Sequence, residues 1–324
     1  MKYCELLINE LNLDSTGVMP CCTPISTEAP KYLSTKNGTI NQNDIDLKRR
    51  KLEICEELNE KSNNFLCKQC IHLIDCENFQ KEDLYTQKYN SIHIKSTSRD
   101  EGIESYSKKE ILQKAYAEDM IDTENLTVRF REENDVSISE EVTELLSLFE
   151  EKGFKIIHFS TINTTYQPTI EKLLKEGKCT LNVSLDCGNS ETYKKIKQID
   201  KFNDCIENLK KYVEVAKQTE AITIHYMLIK GLNDNKEEII NFFKLMNEIG
   251  IKTVGVRINH EDLTAFYQKK LSSKTINNYK KLITFFCDEA KKYNMRLDND
   301  SCREQNFLLN KKEGFFENIK NFFK

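Results

Sequence analysis

Residues 179–186 read CTLNVSLD, a short run of apolar and β-branched residues that stops at Asp186 and is followed by a lysine-rich helical pattern through Phe202. Five more runs of the same kind surround it: SIHIK (91–95), LTVRF (126–130), FKIIHFS (154–160), ITIHYMLI (222–229) and KTVGVRI (252–258). Amphipathic segments lie between them, such as Val142-Leu145-Leu146-Phe149 and Ile239-Ile240-Phe243-Leu245-Met246. Six strand-then-helix units in succession predict a parallel sheet with right-handed crossovers, either open between helical layers or curled into a barrel. In both arrangements ligands collect at the carboxyl ends of the strands.

Ahead of these units the chain has a different character. CELLINELNLDSTGVMPCC (4–22) reads as strand, turn, strand, with Asp14 to Gly17 supplying turn residues. A polar stretch then leads to a helix with Ile45, Leu52, Cys55 and Leu58 on one stripe. At the far end, Phe315, Phe316, Ile319, Phe322 and Phe323 share one side of a predicted terminal helix.

Of twelve cysteines, seven crowd the first quarter of the chain: Cys4, Cys21, Cys22, Cys55, Cys67, Cys70 and Cys76. In a reducing compartment such a set points to metal rather than disulfides. NFLCKQCIHLIDC (64–76) spaces three of them as C-x2-C-x5-C. Clustered thiolates suit zinc or an iron–sulfur cluster, and a single triplet facing a distant group at Cys22 favours the cluster over paired zinc ligands. Cys179, Cys187, Cys205 and Cys287 are scattered and read as small buried residues.

The 324 residues are 39% hydrophobic and 31% charged, with a net charge of −4 spread over both signs. That balance lacks the basic stripe of a nucleic-acid binder. No run approaches a membrane span, and MKYCELLINELN lacks the apolar core of a signal peptide, so a cytoplasmic protein is expected.

Cys4-x12-Gly17-x4-Cys22, followed by Cys67-x2-Cys70-x5-Cys76, resembles the start of the SPASM/twitch motif that holds auxiliary [4Fe–4S] clusters in radical S-adenosylmethionine (SAM) enzymes. Gln80 stands where that motif has a further Cys, which implies one cluster rather than two. LNVSLDCGNSETYKKIKQIDKF (181–202) resembles the superfamily's fourth barrel strand and helix, and YMLIKGLNDNKEEI (226–239) its fifth strand and loop. The resemblance implies an α/β fold: a partial (β/α)6 TIM-like barrel preceded by a small Cys-rich domain. The boundaries expected are 1–85 for the cluster domain, 86–300 for the barrel and 301–324 for a C-terminal amphipathic helix. It also implies that Cys4, Cys21, Cys22, Cys67, Cys70 and Cys76 are the metal ligands, and that Ser184 and Asp186 lie near a SAM ribose.

Two features of the superfamily are missing. Its reactive cluster is held by C-x3-C-x2-C after the first barrel strand, where this chain has Ser98, Gly102 and Ser105. Neither a hydroxyl nor a hydrogen replaces a thiolate on iron. The Gly-Gly-Glu-Pro turn after the second strand is replaced by FREENDVS (130–137).

Along the predicted strands, the residues that interrupt the apolar pattern are His93, Arg129, His158, His225 and Arg257, with Asp186 and His260 at strand ends. On a barrel lumen they would form a polar, net cationic pocket; on the outer face they would be hydrogen-bonded residues beneath helices. Three readings follow: an auxiliary-cluster iron–sulfur protein that binds a small molecule, protein or peptide without cleaving SAM; an active radical SAM-type enzyme with unusual cluster ligation; or a zinc-stapled barrel with a His/Asp lumen site.

Overall fold

The computed structural model describes residues 2–4, 9–14, 17–19, 33–34, 46–49, 51, 53, 56, 73–75, 86–96, 107–132, 140–267 and 270–298. Of the helix expected to carry Ile45, Leu52, Cys55 and Leu58 on one stripe, residues 47–49, 51, 53 and 56 are described and helical, while those four and the terminal helix of 301–324 lie outside the described residues. The chain divides into two compact units, Met1–Phe159 and Ser160–Lys324.

In the first unit, β1 (Lys2–Cys4) pairs antiparallel with β5 (Leu73–Asp75). The expected hairpin is present as β2 (Glu10–Asp14) and β3 (Gly17–Met19), with Leu13 opposite Val18 and Asp14 opposite Gly17. β4 (Leu33–Ser34) lies antiparallel beside β3. On its other edge β2 runs parallel to β6 (Ser91–Ser96), which runs parallel to β7 (Thr127–Glu132). β8 (Ile156–Thr161) follows β7 in the strand order, and the division between the units falls inside it. Helices α1 (Lys108–Ala117) and α2 (Glu140–Lys152) pack on each other, and α2 buries Val142, Leu145, Leu146 and Phe149 as its spacing predicts.

Register sorts this sheet into two chemically distinct faces, because side chains alternate along every strand. One face carries the apolar rows Leu11–Ile92–Val128 and Leu13–Ile94–Phe130, each member essentially inaccessible to solvent. The other carries Asn12–His93–Arg129 and Glu10–Ser91–Thr127.

The second unit continues the alternation. α3 (Pro168–Glu176) ends on Gly177, whose φ of 72° suits a residue without Cβ, and leads into β9 (Cys179–Ser184). Helices α4 (Ser190–Lys197) and α5 (Phe202–Val215) connect to β10 (Ile222–Leu228). α6 (Lys236–Ile249) leads to β11 (Thr253–Ile258), and α7 (His260–Tyr267) and α8 (Ser273–Lys292) lead to β12 (Arg296–Leu297). β9, β10, β11 and β12 are consecutive and parallel. Side-chain caps open α4 and α6: Asn189 accepts from Thr192 N–H and Asn235 from Glu238 N–H. α6 buries Ile239, Phe243 and Met246 as expected, while Phe242 rather than Ile240 or Leu245 completes the buried side.

All six predicted runs are strands. β2 and β12 are parallel strands in addition, so among the described residues eight strands run parallel in an α/β, partial TIM-like fold that is not closed.

Candidate functional site

In the first unit the polar face is wired together. Arg129 Nη1 donates to Ser91 Oγ at 2.9 Å, and Ser91 Oγ lies 3.1 Å from His93 Nε2. Glu10 Oε1 approaches the same His93 nitrogen at 3.6 Å. Burial opposes ionisation of Glu10, but His93, Arg129 and Asn12 outweigh it and hold the carboxyl below its ordinary range. His158 of β8 is pushed down to about 4, first by burial and then by the charges of Arg129 and His93. It is therefore neutral at pH 7. With Glu10 ionised beside Arg129 and His158 uncharged, this face carries less positive charge than its His and Arg residues alone would give it. Glu10 enters from β2, a strand that sequence reasoning did not connect to this face.

His93 and Asn12 are only 7% and 4% exposed. Three buried atoms of the cluster, Glu10 Oε2, Asn12 Nδ2 and His93 Nδ1, have no hydrogen-bond partner. Such atoms are costly to leave unmatched.

In the second unit, Ser184 stands beside His225, which stands beside Gly255, in one row across β9, β10 and β11. Asp298, just past β12, brings Oδ2 to 3.5 Å from His225 Nδ1. A Cβ on Gly255 would fall 2.7 Å from both of those atoms, so the glycine makes the contact possible. Arg257 lies on the same strand face, opposite Met227. His260 opens α7 and its side chain lies outside the described residues.

Asp186 is buried, with φ at 65°, an uncommon value outside glycine. Its Oδ1 accepts from Met227 N–H at 2.7 Å and its Oδ2 from Lys197 Nζ at 2.5 Å. Asn233, fully buried, ties the same corner: Oδ1 accepts from Ile229 N–H, and Nδ2 donates to the carbonyls of Asp186 and Met227, all at 2.7 Å. Both carboxylate oxygens of Asp186 are thus engaged in holding the turn after β9, while Ser184 remains half-buried at the strand end.

Cys4 ends β1, but its side chain, together with Cys21, Cys22, Cys67, Cys70 and Cys76 and the positions Ser98, Gly102 and Ser105, lies outside the described residues. Among the described residues no trio of His, Cys, Asp or Glu is placed to hold a metal ion. Cys179, Cys187, Cys205 and Cys287 are buried, free thiols. Burial drives Cys179 up to about 12 and raises Cys187 further, as expected of thiols packed in a core. The described residues therefore do not fit a cluster. No helix among them is long and apolar enough to cross a membrane.

Glu10, Asn12, Ser91, Gly255, Asp298 and Asn233 were not singled out by sequence reasoning. An acidic residue and an amide alternating with leucines in ELNLD (10–14) were the available signal for the first two.

Residues 93–243 match the family model described as the Radical SAM superfamily. A stretch of 118 residues is 23% identical to a probable GTP 3',8-cyclase of Saccharolobus islandicus, covering 36% of this chain and 37% of that protein. A shorter stretch of 73 residues is 37% identical to the GTP 3',8-cyclase of Petrotoga mobilis, covering 22% of this chain and 21% of the relative. The chain thus matches little more than a third of the length of these curated relatives at most. Among solved structures, Streptococcus suis SuiB bound to S-adenosylmethionine superposes with a TM-score of 0.50 at 13% identity, covering 100% of this chain and 78% of SuiB. The α/β strand order agrees with that likeness: residues 93–243, a little under half of the chain, are similar to the radical SAM superfamily.

Proposed function

We propose that the chain is an iron–sulfur protein in which a single auxiliary-type [4Fe–4S] cluster, drawn from Cys4, Cys21, Cys22, Cys67, Cys70 and Cys76, is attached to a radical SAM-type barrel that does not cleave SAM reductively. The barrel would bind a small molecule or a protein or peptide segment through its polar sheet face.

The observation that carries this reading is the pairing of β1 with β5. Cys4 is in register with Leu73, a residue three positions after Cys70 and three before Cys76 in the chain. The two ends of the cysteine motif are thereby joined through backbone, as a cluster bridging two segments requires. Ser98, Gly102 and Ser105 in place of C-x3-C-x2-C support the loss of SAM cleavage. Ser184, at the carboxyl end of β9, keeps the position at which bound SAM would place its ribose. Asp186 serves that site through the shape of the turn.

Anaerobic purification should yield a brown protein with about four irons per chain. Incubation with SAM and a strong reductant should yield no 5′-deoxyadenosine. Iron at about eight per chain, or deoxyadenosine formation, would establish the active-enzyme alternative; about one zinc without visible charge-transfer absorption would establish the zinc-stapled one.

A further inference from the structure

We propose that the polar face of β2, β6 and β7 holds the carboxamide group of a ligand, with Glu10, Asn12 and His93 as its recognition set. The inference rests on the proposed ligand-binding role of this sheet face and is independent of whether the cysteines carry a cluster.

The hydrogen-bonding inventory of the three orphaned atoms defines the group. Glu10 Oε2 is a carboxylate acceptor and Asn12 Nδ2 is a donor. His93 Nε2 lies 3.6 Å from Glu10 Oε1 and 3.1 Å from Ser91 Oγ, and in the proposed site His93 is the neutral tautomer with its hydrogen on that nitrogen, toward the carboxylate. His93 Nδ1 is then an acceptor. The face therefore offers two acceptors and one donor. A primary carboxamide supplies the complement, two N–H donors and one C=O acceptor.

Charge narrows the choice further. An anion would meet the Glu10 carboxylate, which its neighbours keep ionised. A divalent cation finds no trio of ligands among the described residues, and Arg129 Nη1 stands one serine away. A neutral group avoids both conflicts. Register makes the set rigid: Asn12 and His93 are partners on adjacent parallel strands, and Glu10 is the partner of Ser91 one alternation away. Recognition groups mounted on a sheet with their rotamers fixed by neighbours lose little freedom on binding.

The test uses the full chain and ligand-observed saturation-transfer NMR with two probes of nearly equal shape, propionamide and propionate. Wild type is expected to bind propionamide roughly tenfold more tightly than propionate, because the carboxylate offers no donor to Glu10 or His93. Glu10→Gln converts an acceptor into a donor and should abolish or reverse that preference while the far-UV spectrum is unchanged. Asn12→Asp removes the donor and should abolish propionamide transfer, which keeps the test decisive if either variant folds poorly. Equal binding of the two probes, no transfer from either because the face holds only water, or an unchanged preference in a folded Glu10→Gln or Asn12→Asp variant would overturn the proposal.

Discussion

Asp186 and Lys197 form an ion pair of 2.5 Å across the turn that leaves β9, with Asp186 only 4% and Lys197 15% exposed at the side chain. The pair spans from the strand end to the last turn of α4, so it fixes the entry to that helix as well as the carboxylate. Removing one member of a buried pair strands the other in a poorly solvated place. Lys197→Met is therefore expected to cost about 3 kcal/mol, since the stranded group is the less accessible one. Urea denaturation measures this, and a loss below about 0.5 kcal/mol would show that water replaces the lysine at no cost.

Asn233 satisfies three backbone groups with one amide, and its own carbonyl accepts from Tyr226 Oη at 2.7 Å. Ala at this position leaves an N–H and two carbonyls unmatched in a fully buried corner. A loss of about 3 kcal/mol is predicted for Asn233→Ala, with Asn233→Asp no better because the carboxylate cannot donate. Chemical denaturation of the two variants side by side checks this.

Gly188, three residues past Leu185, lies against α6. A Cβ there would come within 2.2 Å of Phe242 N and 2.4 Å of Asn241 C, both backbone atoms that no rotamer change relieves. Gly188→Ala is expected to destabilise the second unit by about 3 kcal/mol, seen as a lower thermal midpoint. Gly255→Ala presses on side chains instead, Asp298 and His225 at 2.7 Å, and is expected to cost less while separating that pair. The midpoints of the two variants should differ in that order.

Acid should loosen the first unit in two stages. His158 is held at about 4 against an ordinary 6.5, so the unfolded chain takes up its proton first as pH falls. Stability present above pH 6.5 is lost between there and about 4. Glu10, also lowered, adds a loss below its ordinary 4.5. His158→Gln should flatten the upper stage and leave the lower one, as read from denaturation midpoints across the range. An unaltered profile in that variant would remove His158 as the cause.

The six strands of the barrel were legible because alternation and turn residues are local properties. His93, Arg129 and His158 were legible as polar interruptions of apolar strands. Glu10 and Asn12 were hidden by a different kind of fact: β2 reads as one arm of a hairpin, and its parallel pairing with β6 depends on a contact made across residues 15–90. β12 has two residues, too few for periodicity to register. Asp186 was legible as the residue that ends its strand. Its positive φ and its bonds to Lys197 and Met227 are properties of the folded turn that spelling alone does not carry.

The pairing of β2 with β6 also sets a timetable for the nascent chain. Strands such as β10 and β11 meet neighbours translated shortly before them, whereas β2 leaves the ribosome long before Ser91–Ser96 exists. Closing so long an intervening segment is entropically slow relative to local pairing. During synthesis Glu10 and Asn12 therefore wait in water, and the outer edge of β6, once made, stays open to intruding strands until the older segment returns to cover it.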